Sequence, residues 1–206
     1  MLEAPPSVRR SEAPLALAVH GTLTAITIGV ALVRDQNPLV TAPALDLPAW
    51  LRVLLSLAGG AVLAVATVRA TRTFVKRWGW AKLLLSDLRP GVRNAGNATL
   101  VVLGIASGVA EELFFRGLLA PALGLLLSSL AFGALHQLRG RAGWIWSGWA
   151  GVMGVLFGGL FLATGSLLGP IVAHVAINVV NLRFLRDTDV SPPRTRRLGG
   201  LLAPRA

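Results

Sequence analysis

Hydrophobic residues fall into six long apolar stretches, at about 15–33, 50–68, 98–119, 125–138, 144–162 and 170–184. A membrane-spanning helix needs about 20 mostly apolar residues to cross ~30 Å of hydrocarbon, and most of these runs approach that length. The first lacks a close cleavage site and exceeds a signal-peptide core, so it reads as a retained helix. The expected fold is all-α: a polytopic membrane protein of about six transmembrane helices. Its last four spans carry the polar residues of interest.

Between these runs the chain is polar. Residues 1–13 read as a disordered cytoplasmic N-terminus, 14–68 as two accessory helices, and 186–206 as a disordered basic tail. In 69–96, Arg69, Arg72, Lys76, Arg77, Lys82, Arg89 and Arg93 stand against Asp87 and alternate with Phe74, Trp78 and Trp80. That pattern predicts an amphipathic segment lying on an anionic leaflet. Trp144, Trp146 and Trp149 predict an aromatic belt where the fifth span begins. Gly148, Gly151, Gly154 and Gly158 of that span permit close helix contact.

Composition agrees: 54% of residues are hydrophobic, 14% are charged, and mean hydropathy is +0.66. The net charge of +11 does not point to nucleic acid, because no soluble module is available to carry a basic surface. Basic residues concentrate in the N-terminus, 69–93, Arg139 and Arg141, and the tail, whereas loops 34–49 and 164–169 hold only Arg34. The positive-inside rule then places both termini in the cytoplasm. The abundance of Ala, Gly, Leu and Arg suggests a bacterial source, and so the cell (inner) membrane. The absence of cysteine excludes disulfides, thiol nucleophiles and thiolate-bound metals.

A few ionisable groups lie inside the apolar spans, where a charge costs ~2.5–3.5 kcal/mol on insertion scales and so marks a functional site. Glu112 and Arg116 have the acid-first i,i+4 spacing of an ion pair. Glu111 is rotated by ~100° and is free to face elsewhere. Phe132 and His136 share one helix face, as do His174 and Asn178. Counted from the turns near 121 and 165–169, Glu111 and His136 lie ~15 and ~22 Å deep, and His174 and Asn178 ~10–17 Å deep. If both turns lie on one side, the four groups meet near mid-bilayer. His20, with no polar companion in its own span, reads as a tolerated histidine near the interface. Ser107, one turn before Glu111, is not expected to act as a nucleophile.

Glu111-Glu112-x-x-x-Arg116, Phe132-x-x-x-His136 and His174-x-x-x-Asn178, in that order on successive spans, resemble the CPBP family. These are the CAAX-protease and bacteriocin-processing intramembrane peptidases. The resemblance covers about 97–185, and the short connection after the first motif departs from it. It implies a peptidase core in 97–185 that hydrolyses a membrane-embedded or membrane-anchored peptide or protein with glutamate-activated water. Glu111 would be the base and His136 would hold the water. His174 and Asn178 would serve the oxyanion, with Glu112, Arg116 and Phe132 in support. C-terminal sorting signals, bacteriocin leaders and CAAX-like ends are the substrate classes it brings. No cofactor is expected. A zinc-dependent version of the same proteolysis stays open, since two histidines and a glutamate are zinc-type ligands. So does a proton or cation transport component, although 14–93 and 97–185 show no repeat symmetry.

Overall fold

A computed structural model describes residues 13–138 and 140–190, and every element in it but one isolated bridge is helical. The N-terminal dozen residues, Arg139 and most of the basic tail therefore lie outside the described residues. Helix α1 (Ala13–Val33) is apolar throughout and stops where Asp35 takes a left-handed φ of 49°. Helix α2 (Ala49–Arg77) starts after Pro48, whose missing N–H costs nothing there, and runs for 29 residues. That is ~44 Å, longer than the hydrocarbon layer, so one end must project beyond it.

The expectation of one amphipathic segment over 69–96 is corrected by this geometry. Its first third is the end of α2, and Trp78, in extended conformation, breaks the helix before α3 (Gly79–Leu88). Phe74, Trp78, Trp80 and Trp149 pack ring on ring across that break, so Trp149 lies in a cluster while Trp144 faces outward. Helix α3 turns Ala81, Leu84 and Leu85 inward, with Phe184 and Leu185 against the same cluster.

Helix α4 (Asn97–Leu123) changes winding midway, being α-helical to Glu112 and π-helical over Leu113–Leu119. Gly124, at φ 85°, reverses the chain into α5 (Leu125–Leu135). Then come α6 (Arg141–Thr164) and α7 (Leu168–Asp187), separated by left-handed Gly165. Five helices, α1, α2, α4, α6 and α7, are long and apolar enough to cross a membrane. The fourth expected span falls short of the length that crosses a membrane. Helix α5 has 11 residues because His136 leaves the helical path, its N–H bonding Gly133 and its ring taking the Phe132 carbonyl.

Helix α7 lies between α2 and α4, α5 pairs with α6, and α1 rests on α4. The 34–48 loop is laced to the α6–α7 turn by Thr41 N–H to Gly165 O (3.2 Å), Ala44 N–H to Leu162 O (2.9 Å) and Leu167 N–H to Leu39 O (3.0 Å). The two loops poor in basic residues therefore occupy one end of the bundle. At the other end Arg89 pairs with Asp189 at 2.8 Å, and Arg186 reaches Asn97 at 2.8 Å.

The contact between α4 and α7 is set by Gly104 and Gly108. A Cβ at Gly108 would lie 2.7 Å from both the backbone nitrogen and a methyl of Val175. Gly108→Ala should therefore force the helices apart and cost about 1–3 kcal/mol, as overpacking does. Thermal unfolding of the purified protein in detergent measures it. Gly148→Ala, which meets nothing within 4 Å, should leave the midpoint unchanged or slightly raised.

Candidate active site

Adjacent positions on an α-helix differ by ~100°, so the two glutamates at the end of the α-helical part of α4 face different neighbours. Glu112, fully buried, accepts a hydrogen bond from Arg116 Nη1 at 2.9 Å, the ion pair its spacing predicts. The same oxygen lies 2.7 Å from His174 Nδ1 on α7. Arg116 is 2% exposed and lies over the Phe132 ring, 4.4 Å from its centroid. That ring also contacts His136 (4.4 Å) and His174 (6.0 Å), so Phe132 is a shared floor for three charged or titratable groups.

Glu111 faces the other way, towards three histidines, from α1, the end of α5 and α7. His136 Nε2 is 3.8 Å and His174 Nε2 3.7 Å from Glu111 Oε2. That oxygen is buried and has no hydrogen-bond partner among the described residues. His20 Nε2, from α1, is 3.0 Å from Oε1. Reading His20 as an isolated histidine near the interface is thus corrected. Its companion sits 91 positions away on a neighbouring helix, where no local spacing rule finds it. The one available signal was a histidine within an otherwise apolar span.

Hydrogen-bond complementarity fixes the ring orientations. A carbonyl only accepts, so His136 Nδ1 carries the proton it donates to Phe132 O (2.8 Å), and His20 Nδ1 donates to Ala16 O (2.6 Å). His174 Nδ1 likewise donates to the Glu112 carboxylate. All three rings therefore turn Nε2 towards Glu111. A neutral Nε2 beside a carboxylate would set acceptor against acceptor, so the short His20–Glu111 contact requires a proton between the two groups.

Asn178 does not touch Glu111. It lies one turn beyond His174 and donates to Ser107 Oγ at 2.8 Å, which occupies that hydroxyl as an acceptor one turn before Glu111. Both line, with Glu111, His136 and His174, an elongated cavity of about 450 Å3. Its remaining wall is largely apolar and continues to Trp80, Leu84 and Leu88 of α3. Among the described residues, no three of His, Cys, Asp and Glu are arranged to hold a metal ion. A reacting group in this cavity meets one carboxylate oxygen, two imidazole nitrogens and an amide.

Residues 94–180 match a family model described as type II CAAX prenyl endopeptidase, Rce1-like. The matched region begins just before α4 and ends within α7, leaving α1 to α3 outside. The chain is also similar to an uncharacterized protein, YpbD, of Bacillus subtilis (strain 168), with 35% identity over 81 residues. That stretch is 39% of this chain and 42% of YpbD, so the chain spans well under two thirds of that relative's length. No solved structure matches.

The two glutamates should separate on substitution. Glu112→Gln strands Arg116 and weakens the hold on His174, and should cost about 3–5 kcal/mol, as breaking a buried pair does. Glu111→Gln should cost much less. Membrane accumulation and thermal unfolding in detergent compare them. Equal, small effects would mean that Glu112 and Arg116 are not a structural pair.

Proposed function

Residues 94–180 are a domain of the Rce1-like type II CAAX prenyl endopeptidase family, and from that premise we propose that this membrane protein is an intramembrane endopeptidase using Glu111 as general base. Membership in a peptidase family implies peptide-bond hydrolysis and protein substrates. The observation that carries the mechanism is the convergence of His136 and His174 Nε2, at 3.8 and 3.7 Å, on the partnerless Oε2 of Glu111. A water held among these three atoms gives one proton to Oε2 while its oxygen bonds to the substrate carbonyl carbon. The carbonyl π electrons become the oxyanion. When the C–N bond breaks, the proton on Glu111 passes to the departing amine, and the carboxylate is restored.

Roles for the neighbours follow from their hydrogen bonds. His136, with Nδ1 committed to a carbonyl, offers Nε2 as an acceptor that orients the water. His174 donates from Nδ1 to the Glu112 carboxylate, which fixes its ring beside the water, and the donor for the oxyanion falls to Asn178. Its amide lies one turn away. Donors aimed at an oxyanion where water is scarce are worth roughly 10²–10³-fold each. Phe132 and Arg116 hold the two imidazoles in place.

The substrate in this reading is a membrane-embedded or membrane-anchored peptide or protein: a C-terminal sorting signal, a leader peptide or a CAAX-like end. The apolar cavity suits a chain that arrives from the bilayer. In the same reading both termini face the cytoplasm, because the basic ends of α2 and α7 lie opposite the 34–48 loop. Glu111→Ala should leave a membrane protein uncleaved that wild-type cells process, visible in membrane proteomics as a retained segment. On that substrate Glu111→Gln should lose 10²–10⁴-fold in kcat, the usual contribution of a general base. An unchanged proteome under several growth conditions would sink the peptidase reading. Activity should also survive exhaustive chelation; stoichiometric zinc whose removal ends cleavage would reassign His136 and His174 as ligands.

A further inference from the structure

Helix α1 lies outside the matched domain and is held loosely, with Thr27 its buried residue. Its three threonines turn their hydroxyls to carbonyls of their own helix, at 2.9 to 3.0 Å. His20 does otherwise. Its ring crosses to α4 and meets Glu111 Oε1 at 3.0 Å, with both side chains largely buried.

The charges around this contact do not balance without it. Glu111 and Glu112 bring two negative charges, and Arg116 one positive. In a low-dielectric interior the remaining negative charge calls for one more proton. The groups facing Glu111 are His20 from α1, His136 from the end of α5 and His174 from α7, with Glu112 and Arg116 on α4 itself. Of the three histidines, His136 and His174 lie beyond hydrogen-bond distance of Glu111. His20 lies within it, and Ala16 O holds its other nitrogen as a donor. The balancing proton thus has one place to sit where it also makes a hydrogen bond. A carboxylate held at Oε1 has its Oε2 aimed by default, at the two remaining imidazoles.

We propose that His20 is a positioning residue for Glu111: as an imidazolium it anchors Oε1, balances the site's charge and leaves Oε2 ionised towards His136 and His174. This rests on Glu111 being the general base. In a reaction cycle the His20 proton stays where it is. The proton from water enters and leaves through Oε2, so no further donor or acceptor is needed.

The chain contains three histidines, and each follows a different residue: Val19, Leu135 or Ala173. Carbonyl-¹³C valine with ¹³C,¹⁵N-labelled histidine therefore selects the His20 amide, and correlation along its labelled carbons reaches that one ring, in the whole protein, in detergent or nanodiscs, without any substitution. The expected ¹⁵N spectrum at neutral pH shows protons on both ring nitrogens of His20. Glu111→Gln should return that ring to a neutral tautomer. A neutral His20 in the wild type, or a ring state indifferent to Glu111→Gln, would overturn the proposal. On the substrate found by proteomics, His20→Leu should lower kcat at least ten-fold with KM within about two-fold. His20→Gln, which keeps an N–H donor, should recover part of the loss. Wild-type turnover by His20→Leu, or a loss confined to KM, would count against it. If the ¹⁵N signature is present but no substrate accumulates in Glu111→Ala cells, the His20–Glu111 pair stands and the peptidase reading falls, taking the catalytic part of this proposal with it.

Discussion

One oxygen atom supports most of the site. Glu112 Oε1, with no exposure to solvent, binds Arg116 at 2.9 Å and His174 at 2.7 Å. Remove that acceptor and a guanidinium is left in a bilayer-embedded core with Phe132 and Phe157 as its remaining close neighbours. The same loss frees His174 to rotate, and its Nε2 no longer points at Glu111. One buried carboxylate thus holds both a residue of α4 and a residue of α7. In the proposed reading, this is why the site has two adjacent carboxylates where a single acid would serve the chemistry.

Close packing makes such short polar contacts possible between separate helices. Gly104 and Gly108 bring the α4 backbone against Val179 and Val175 of α7. Ser107–Asn178 and Glu112–His174 then bridge the same two helices one turn apart. Glycine spacing and polar spacing are one pattern with two faces. On α6, Gly154 does similar work against Ser129 of α5, whereas Gly148 meets nothing, so a glycine stripe alone overstates the contact.

What could be read from the sequence follows from how local each signal is. The Glu112–Arg116 pair is an i,i+4 relation and was legible, as were the membrane-spanning character and the shared faces of Phe132 with His136 and His174 with Asn178. The end of α5 near His136 was legible too, since His136 and Gln137 interrupt its apolar run; that the His136 ring closes the helix by donating to the Phe132 carbonyl was not. Nor was the π winding of Leu113–Leu119, which no periodicity in an apolar run reveals. The basic stretch over 69–93 looked continuous because charge pattern does not record the bend at Trp78. His20 was missed for the most general reason: its partner is on another helix, and one sequence shows no pairing across 91 positions.

That omission bears on what the fold is for. An acid in hydrocarbon becomes neutral unless something keeps its charge, and a neutral Glu111 is no base. The resembling core supplies Arg116, but Glu112 already uses it. A second positive group near Glu111 must come from an imidazole, and the two that belong to the core have their Nε2 atoms 3.7 and 3.8 Å away. The helix that supplies the third is the one packed least deeply, with Thr27 its buried residue. Weak apolar docking and one strong polar contact are complementary here. The contact gives α1 its register on α4, and α1 gives Glu111 the partner that the core itself lacks.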